Sequence, residues 1–157
     1  MNYATIKNCD IANGPGVRVS LFVSGCTHHC KGCFNEVAWD FAYGQPFTQE
    51  TIDRILQMLQ PAHVKGLTLL GGEPFEPQNQ PALVDLLRQV KASYPEKSIW
   101  AFSGYLFDKD IFAWKAGRSC NYTGIHWLPG CAGGRAVCGR EKGSTATFSW
   151  FLQPKTH

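Results

Sequence analysis

The stretch Val17–Asn35, "VRVSLFVSGCTHHCKGCFN", puts a strand pattern and three cysteines in direct succession. Val17, Val19, Leu21 and Val23 share one face of an extended segment, and Arg18 and Ser20 share the other. Cys26, Cys30 and Cys33 begin just past the strand's C-terminal end, with the spacing C-x3-C-x2-C. Three thiols stand within eight residues and no fourth stands beside them.

Working outward, "NGPG" at Asn13–Gly16 reads as a tight turn leading into the strand, using glycine's freedom at positive φ and proline's fixed φ. Thr48–Gln60, "TQETIDRILQMLQ", carries Ile52, Ile55, Leu56 and Leu59 at helical spacing, with Thr48 as N-cap and Pro61 as the stop. A short apolar strand, Gly66–Leu70, runs straight into "GGEP". A helix over "QPALVDLLRQVKASYP" follows, with Pro81 in its first turn, and then a strand in "SIWAFSGY", Ser98–Tyr105. The order β, α, β, α, β predicts an α/β fold with parallel strands and right-handed crossovers. Ligands in such sheets gather at the carboxyl ends of the strands, where all three distinctive loops lie.

At 157 residues the chain is long enough for one domain with a real core. The 15 Lys+Arg against 12 Asp+Glu are scattered rather than gathered in a stripe, so nucleic acid is not an expected partner. No apolar run approaches the roughly 18 residues of a membrane span, and no leader pattern opens the chain; it reads as soluble and cytoplasmic. Seven cysteines cannot pair completely within one chain. In a reducing compartment a tight thiol cluster points to a metal or catalytic site rather than to a disulfide framework.

Thiolates bind zinc or iron–sulfur clusters, and both usually take four ligands. His28 or His29 could complete a zinc set, but both lie inside the cysteine loop, where a tetrahedron from so short a segment is cramped. A cubane held by three thiolates leaves one iron open to a substrate or cofactor, as an open position does in catalytic zinc sites. A non-catalytic zinc- or cluster-binding module that docks a partner is the alternative. His28 and His29 are otherwise expected to be solvated loop residues, and Cys9 a small buried or partly buried residue rather than a ligand. Asp10 and Asn13 suit either a turn or the mouth of the site. Trp39, Phe41, Tyr43 and Phe47 form an aromatic group expected mainly to pack.

The spacing of Cys26, Cys30 and Cys33 resembles the signature of the radical S-adenosylmethionine enzymes. "NGPG", "GCTHHCKGCFN", "YGQPFT" (Tyr43–Thr48), "LGGEPFEPQN" (Leu70–Asn79) and "WAFSGY" (Trp100–Tyr105) together resemble, more narrowly, the activating proteins of anaerobic (class III) ribonucleoside-triphosphate reductase. The resemblance implies a small partial (β/α) barrel of the radical S-adenosylmethionine type over residues 1–117. It implies a [4Fe-4S] cluster on Cys26, Cys30 and Cys33, with S-adenosylmethionine on the open iron. Gly32, Cys33 and Phe34 match the segment lying along that cofactor, and Gly72 and Glu73 match the turn holding its methionine end. Gly32 stands where many of these enzymes have an aromatic residue, a departure shared by the activating proteins; Leu70 stands where a serine is frequent. No side chain is implied as a general acid or base. The implied reaction is reductive cleavage of S-adenosylmethionine to a 5′-deoxyadenosyl radical, which abstracts hydrogen from a glycine of the reductase large subunit. The implied partners are that subunit and a flavodoxin-like or similar electron donor.

Residues 118–157 break the pattern. They show no sustained period of 2 or 3.6, are dense in Gly, Ser, Thr and Cys, and offer little to bury. The family is expected to continue with a strand like "DVLVDG" and a later "RGSSNQ", and neither is present. Residues 128–157, back-translated with permitted synonymous codons and read from each codon's second base, give "CLDVLVDGRFVGEKKDLQLRFRGSSNQRL". Both missing motifs are in it. The tail therefore reads as frame-shifted from a point between Gly117 and Trp127, which makes Cys120, His126, Cys131 and Cys138 accidental.

Overall fold

A computed structural model describes residues 1–105 and a two-residue strand at Phe148–Ser149. The expectations for Cys120, His126, Cys131, Cys138 and the rest of the tail lie outside the described residues. Strands β1 (Asn2–Asp10), β2 (Val17–Val23), β3 (Gln45–Pro46), β4 (Val64–Gly71), β5 (Ser98–Ser103) and β6 (Phe148–Ser149) accompany helices α1 (Gln49–Leu59) and α2 (Gln80–Ser93). The strand order is β3-β1-β2-β4-β5-β6.

The β2–α1–β4–α2–β5 succession is as expected. Parallel pairing runs Val19↔Leu67 through Val23↔Gly71, and again Leu67↔Ile99 through Leu69↔Ala101. Strands outside that succession, β1, β3 and β6, all pair antiparallel, so the sheet is mixed. The described residues form an open mixed sheet with two helices rather than a closed ring of β/α units. Strand β1 escapes sequence reading because only Tyr3 of its nine residues is buried, which leaves no apolar alternation to see.

The odd-numbered face of β2 does what its pattern dictates. Val19, Leu21 and Val23 pack with Leu67, Leu69, Ile99 and Ala101 under Ile52, Ile55 and Leu59 of α1. Leu83, Leu86, Leu87 and Val90 of α2, at i, i+3, i+4 and i+7, close the same core. Thr48 caps α1, its N–H donating to Thr51 Oγ1 at 3.3 Å, and Pro81 occupies the first turn of α2.

The other face is buried as well, which a polar pattern does not announce: Arg18, Ser20 and Thr68 are all inaccessible. Arg18 Nε donates to Thr68 Oγ1 at 2.6 Å, Nη1 to Ser98 Oγ at 2.9 Å, and Nη2 to Leu67 O at 2.8 Å and Ser98 O at 3.0 Å. Thr68 Oγ1 in turn donates to Asn13 O at 2.8 Å, tying in the turn before β2. Burial lowers the Arg18 pKa to about 10, so the guanidinium is still charged at neutral pH. Substituting Arg18→Leu leaves several buried acceptors without donors. It is expected to lower the unfolding free energy by about 2–4 kcal/mol, read as a shifted urea midpoint at unchanged slope.

Candidate functional site

Three loops leave the carboxyl ends of the parallel strands: Ser24–Asn35 after β2, the GGEP turn after β4, and Ser103–Tyr105 after β5. The cysteine loop has no helix or strand until the short 3₁₀ turn Glu36–Trp39, so its backbone is fixed from outside. Gly25 N donates to Ala38 O at 2.8 Å and Cys26 N to Trp39 O at 3.2 Å. Cys33 N donates to Cys30 O at 3.1 Å, closing the turn that carries the last two thiols. Gly32 sits in that turn at φ +77° with open space around it, so glycine is required there by backbone conformation rather than by room.

Cys26 is buried, while Cys30 and Cys33 are partly exposed. Burial pushes the Cys26 thiol pKa up, and the Glu73 and Glu76 charges add to this; the His28 and His29 backbone N–H groups oppose it. Among the described residues, no three His, Cys, Asp or Glu side chains gather where one metal ion could sit. The donor set fits a cluster better than an ion, because a cubane takes each thiolate at a separate iron. Phe34 is 97 % exposed.

The GGEP turn is pressed onto this loop. Gly72 N donates to Val23 O and Glu73 N to Gly25 O, both at 2.8 Å. A Cβ on Gly72 would stand 2.5 Å from Gly25 O and 2.9 Å from Ala38 O, so only glycine lets the two loops approach this closely. Glu73 is buried, and its side chain faces inward. Oε1 accepts from Phe75 N at 2.8 Å and Ser103 Oγ at 2.9 Å, and Oε2 accepts from Gly104 N at 2.8 Å. That carboxylate joins the ends of β4 and β5.

His28 departs from expectation. Its ring packs edge-on against Tyr105 at 4.4 Å between centroids, and Nε2 lies 3.4 Å from Glu73 Oε2, which draws it out of solvent. His29 is exposed as expected and rests against Trp39. Cys9 is exposed rather than buried, because it sits at φ +54° where the β1–β2 register shifts. Asp10 accepts from Ala12 N and Asn13 Nδ2 at the opposite end of β2 from the cysteines, so the turn explains both residues and the mouth of the site does not. Glu76, Asn79 and Ser103 were not singled out from the sequence, although two of them lie inside the quoted "LGGEPFEPQN". Asn79 Nδ2 donates to Ser24 O and Glu73 O, each at 3.0 Å, bridging the two loops.

A sheet with a three-cysteine loop locked to a glycine turn at its carboxyl end defines an iron–sulfur class, and residues 12–118 match the family model of the 4Fe-4S single cluster domain. The activating protein of anaerobic ribonucleoside-triphosphate reductase from Enterobacteria phage T4 is 47 % identical over 108 residues, covering 69 % of each chain. Its counterpart from Escherichia coli K12 is 44 % identical over 111 residues, 69 % of this chain and 72 % of that one. The Vibrio cholerae protein of the same name is 45 % identical over 107 residues, 67 % of this chain and 69 % of its own. No solved structure matches. The chain belongs to the family of anaerobic ribonucleoside-triphosphate reductase-activating proteins, with its 4Fe-4S domain.

Because a Cβ at Gly72 would meet the Gly25 and Ala38 carbonyls, Gly72→Ala is expected to destabilise the apoprotein by about 1–3 kcal/mol. A thermal melt checks this, and iron bound after anaerobic reconstitution is expected to fall with it.

Proposed function

We propose that the chain generates a glycyl radical on anaerobic ribonucleoside-triphosphate reductase, using a [4Fe-4S] cluster and S-adenosylmethionine. The observation that carries this is a loop with three thiols and no fourth, held directly against a glycine turn by Gly72 and Glu73. Cys26, Cys30 and Cys33 would hold the cluster, and the missing fourth thiolate leaves an iron for the amino and carboxylate groups of S-adenosylmethionine. When bound, a cluster reduced by an external donor would supply one electron to the sulfonium of S-adenosylmethionine, the chemistry that would release methionine and let hydrogen be taken from a glycine of the large subunit. The chain's own residues orient and exclude. Gly32, Cys33 and Phe34 run along the cofactor in this reading, and the Gly72–Glu73 backbone meets its methionine end. In this reading the parallel β2, β4 and β5 would be strands of a partial radical S-adenosylmethionine barrel. A flavodoxin-like or similar donor in the cytoplasm would supply the electron.

Anaerobic reconstitution with iron and sulfide, reduction, and addition of S-adenosylmethionine are expected to release methionine and 5′-deoxyadenosine. Adding the reductase large subunit is expected to produce a glycyl-radical resonance. Cys26→Ala, Cys30→Ala and Cys33→Ala each reduce both signals to background. A colourless, zinc-loaded protein that releases no methionine would instead establish a docking module.

We further infer that the coding sequence is frame-shifted between Gly117 and Trp127, after the cofactor loops. Residues 119–157 lie beyond the matched domain, and the second reading restores two family motifs across nearly thirty residues. Losing that apolar strand lowers stability and activity. Resequencing the gene is expected to find codons compatible with the second reading, and the restored-frame protein is expected to melt higher and activate faster. Incompatible codons overturn the idea.

A further inference from the structure

Glu76 is 3 % exposed and sits three residues past Glu73, on the underside of the cysteine loop. Its Oε1 accepts from Thr27 N at 2.8 Å and from Thr27 Oγ1 at 2.7 Å, and Tyr105 Oη lies 3.5 Å away. Thr27 follows Cys26 directly and opens the three-residue link to Cys30. Its own surroundings do not fix it, since Thr27 is exposed. One buried carboxylate oxygen therefore gathers the backbone and side chain of the residue that sets the course from the first thiol to the second. A carboxylate accepting a backbone N–H and a hydroxyl makes two charge-assisted bonds, stronger than neutral ones and directional. Its backbone is tied in as well: Asn79 N and Gln80 N donate to Glu76 O at 2.9 and 3.2 Å, anchoring the residue to the start of α2.

We propose that Glu76 is a positioning residue for the cluster: it fixes the Cys26–Cys30 segment through Thr27, and its charge holds the reduction potential of the bound cluster low. The second half follows from the first, because a negative charge one residue from a thiolate ligand opposes the arrival of an electron, and cluster potentials respond to nearby charge. Glu73 is spent differently, on Ser103, Gly104 and Phe75, and touches the loop through the His28 ring and the Glu73 N–H to Gly25 O. Glu76 is thus the carboxylate in direct hydrogen-bond contact with the residue next to Cys26.

The proposal rests on the cluster reading above, and the test separates the two. Wild type, Glu76→Gln, Glu76→Ala and Thr27→Val are reconstituted anaerobically in the full chain, with Asp85→Asn as a control for an exposed carboxylate on α2. Iron and sulfide per chain, the rate of iron loss to a chelator, and the midpoint potential by spectroelectrochemistry are read on each. Glu76→Gln keeps an acceptor oxygen and removes the charge, so it is expected to load fully and to show a more positive midpoint. Glu76→Ala is expected to lose iron several-fold faster, with Thr27→Val between it and wild type, and Asp85→Asn is expected to match wild type. A Glu76→Gln midpoint equal to wild type at full iron content overturns the charge assignment. Loss rates unchanged in Glu76→Ala and Thr27→Val overturn the positioning role. If Glu76→Ala does not fold by circular dichroism, Thr27→Val decides the positioning and Glu76→Gln the charge. A wild-type chain that takes up no iron and sulfide overturns the cluster reading and this proposal with it.

Discussion

Everything at the functional end depends on two buried carboxylates holding loops that have no regular structure of their own. Glu73 joins the end of β4 to the end of β5, and Glu76 joins the GGEP turn to the cysteine loop. Buried charge is costly unless donors surround it, and here the donors are backbone N–H groups and hydroxyls from the segments that need fixing. The desolvation cost and the positioning are one arrangement. Removing either carboxylate frees a loop and also strands the donors that faced it.

The glycines serve the same end by different means. Gly72 lets two backbones pass within hydrogen-bond reach, so Val23 and Gly25 carbonyls accept from the GGEP turn. Gly32 supplies a left-handed turn between Cys30 and Cys33 in open space. One is a steric requirement and the other conformational, although both look alike as letters. The side chain of Glu73 likewise proves to be an internal brace, held by Phe75 N, Ser103 Oγ and Gly104 N.

What could be read from the sequence divides along a physical line. Elements whose burial follows a period were legible: β2 by its alternation, α1 and α2 by their 3.6-residue spacing, β4 and β5 by short apolar runs before glycine turns. Strand β1 was not, because eight of its nine residues are partly or fully exposed and its register is broken at Cys9. The three cysteines announced themselves by spacing alone. The groups that place them did not, because Glu76, Asn79 and His28 act through contacts across 49, 55 and 45 residues of chain, which no local pattern encodes. Arg18 illustrates the same limit from the other side: a polar residue alternating with valines predicts a solvated face, and a guanidinium saturated with carbonyls is what allowed that face to be buried.

The buried charges also segregate along the strands. Arg18 and Lys97 sit at the amino ends of β2 and β5, their cations satisfied by carbonyls such as Ser98 O and Val64 O. Glu73 and Glu76 sit at the carboxyl ends. A strand of about seven residues separates them by roughly 20 Å, too far for a salt bridge between the two ends. Among the described residues, the end that carries the thiols therefore holds two buried carboxylates and no buried Lys or Arg. Two such charges would favour a cationic ligand and resist an added electron. In the reading proposed here, both consequences fall on one reaction: a sulfonium is drawn to the site, and the electron that cleaves it comes from a cluster made more reducing by its surroundings. In that reading, the geometry that positions the loop and the electrostatics that drive the chemistry come from the same side chains.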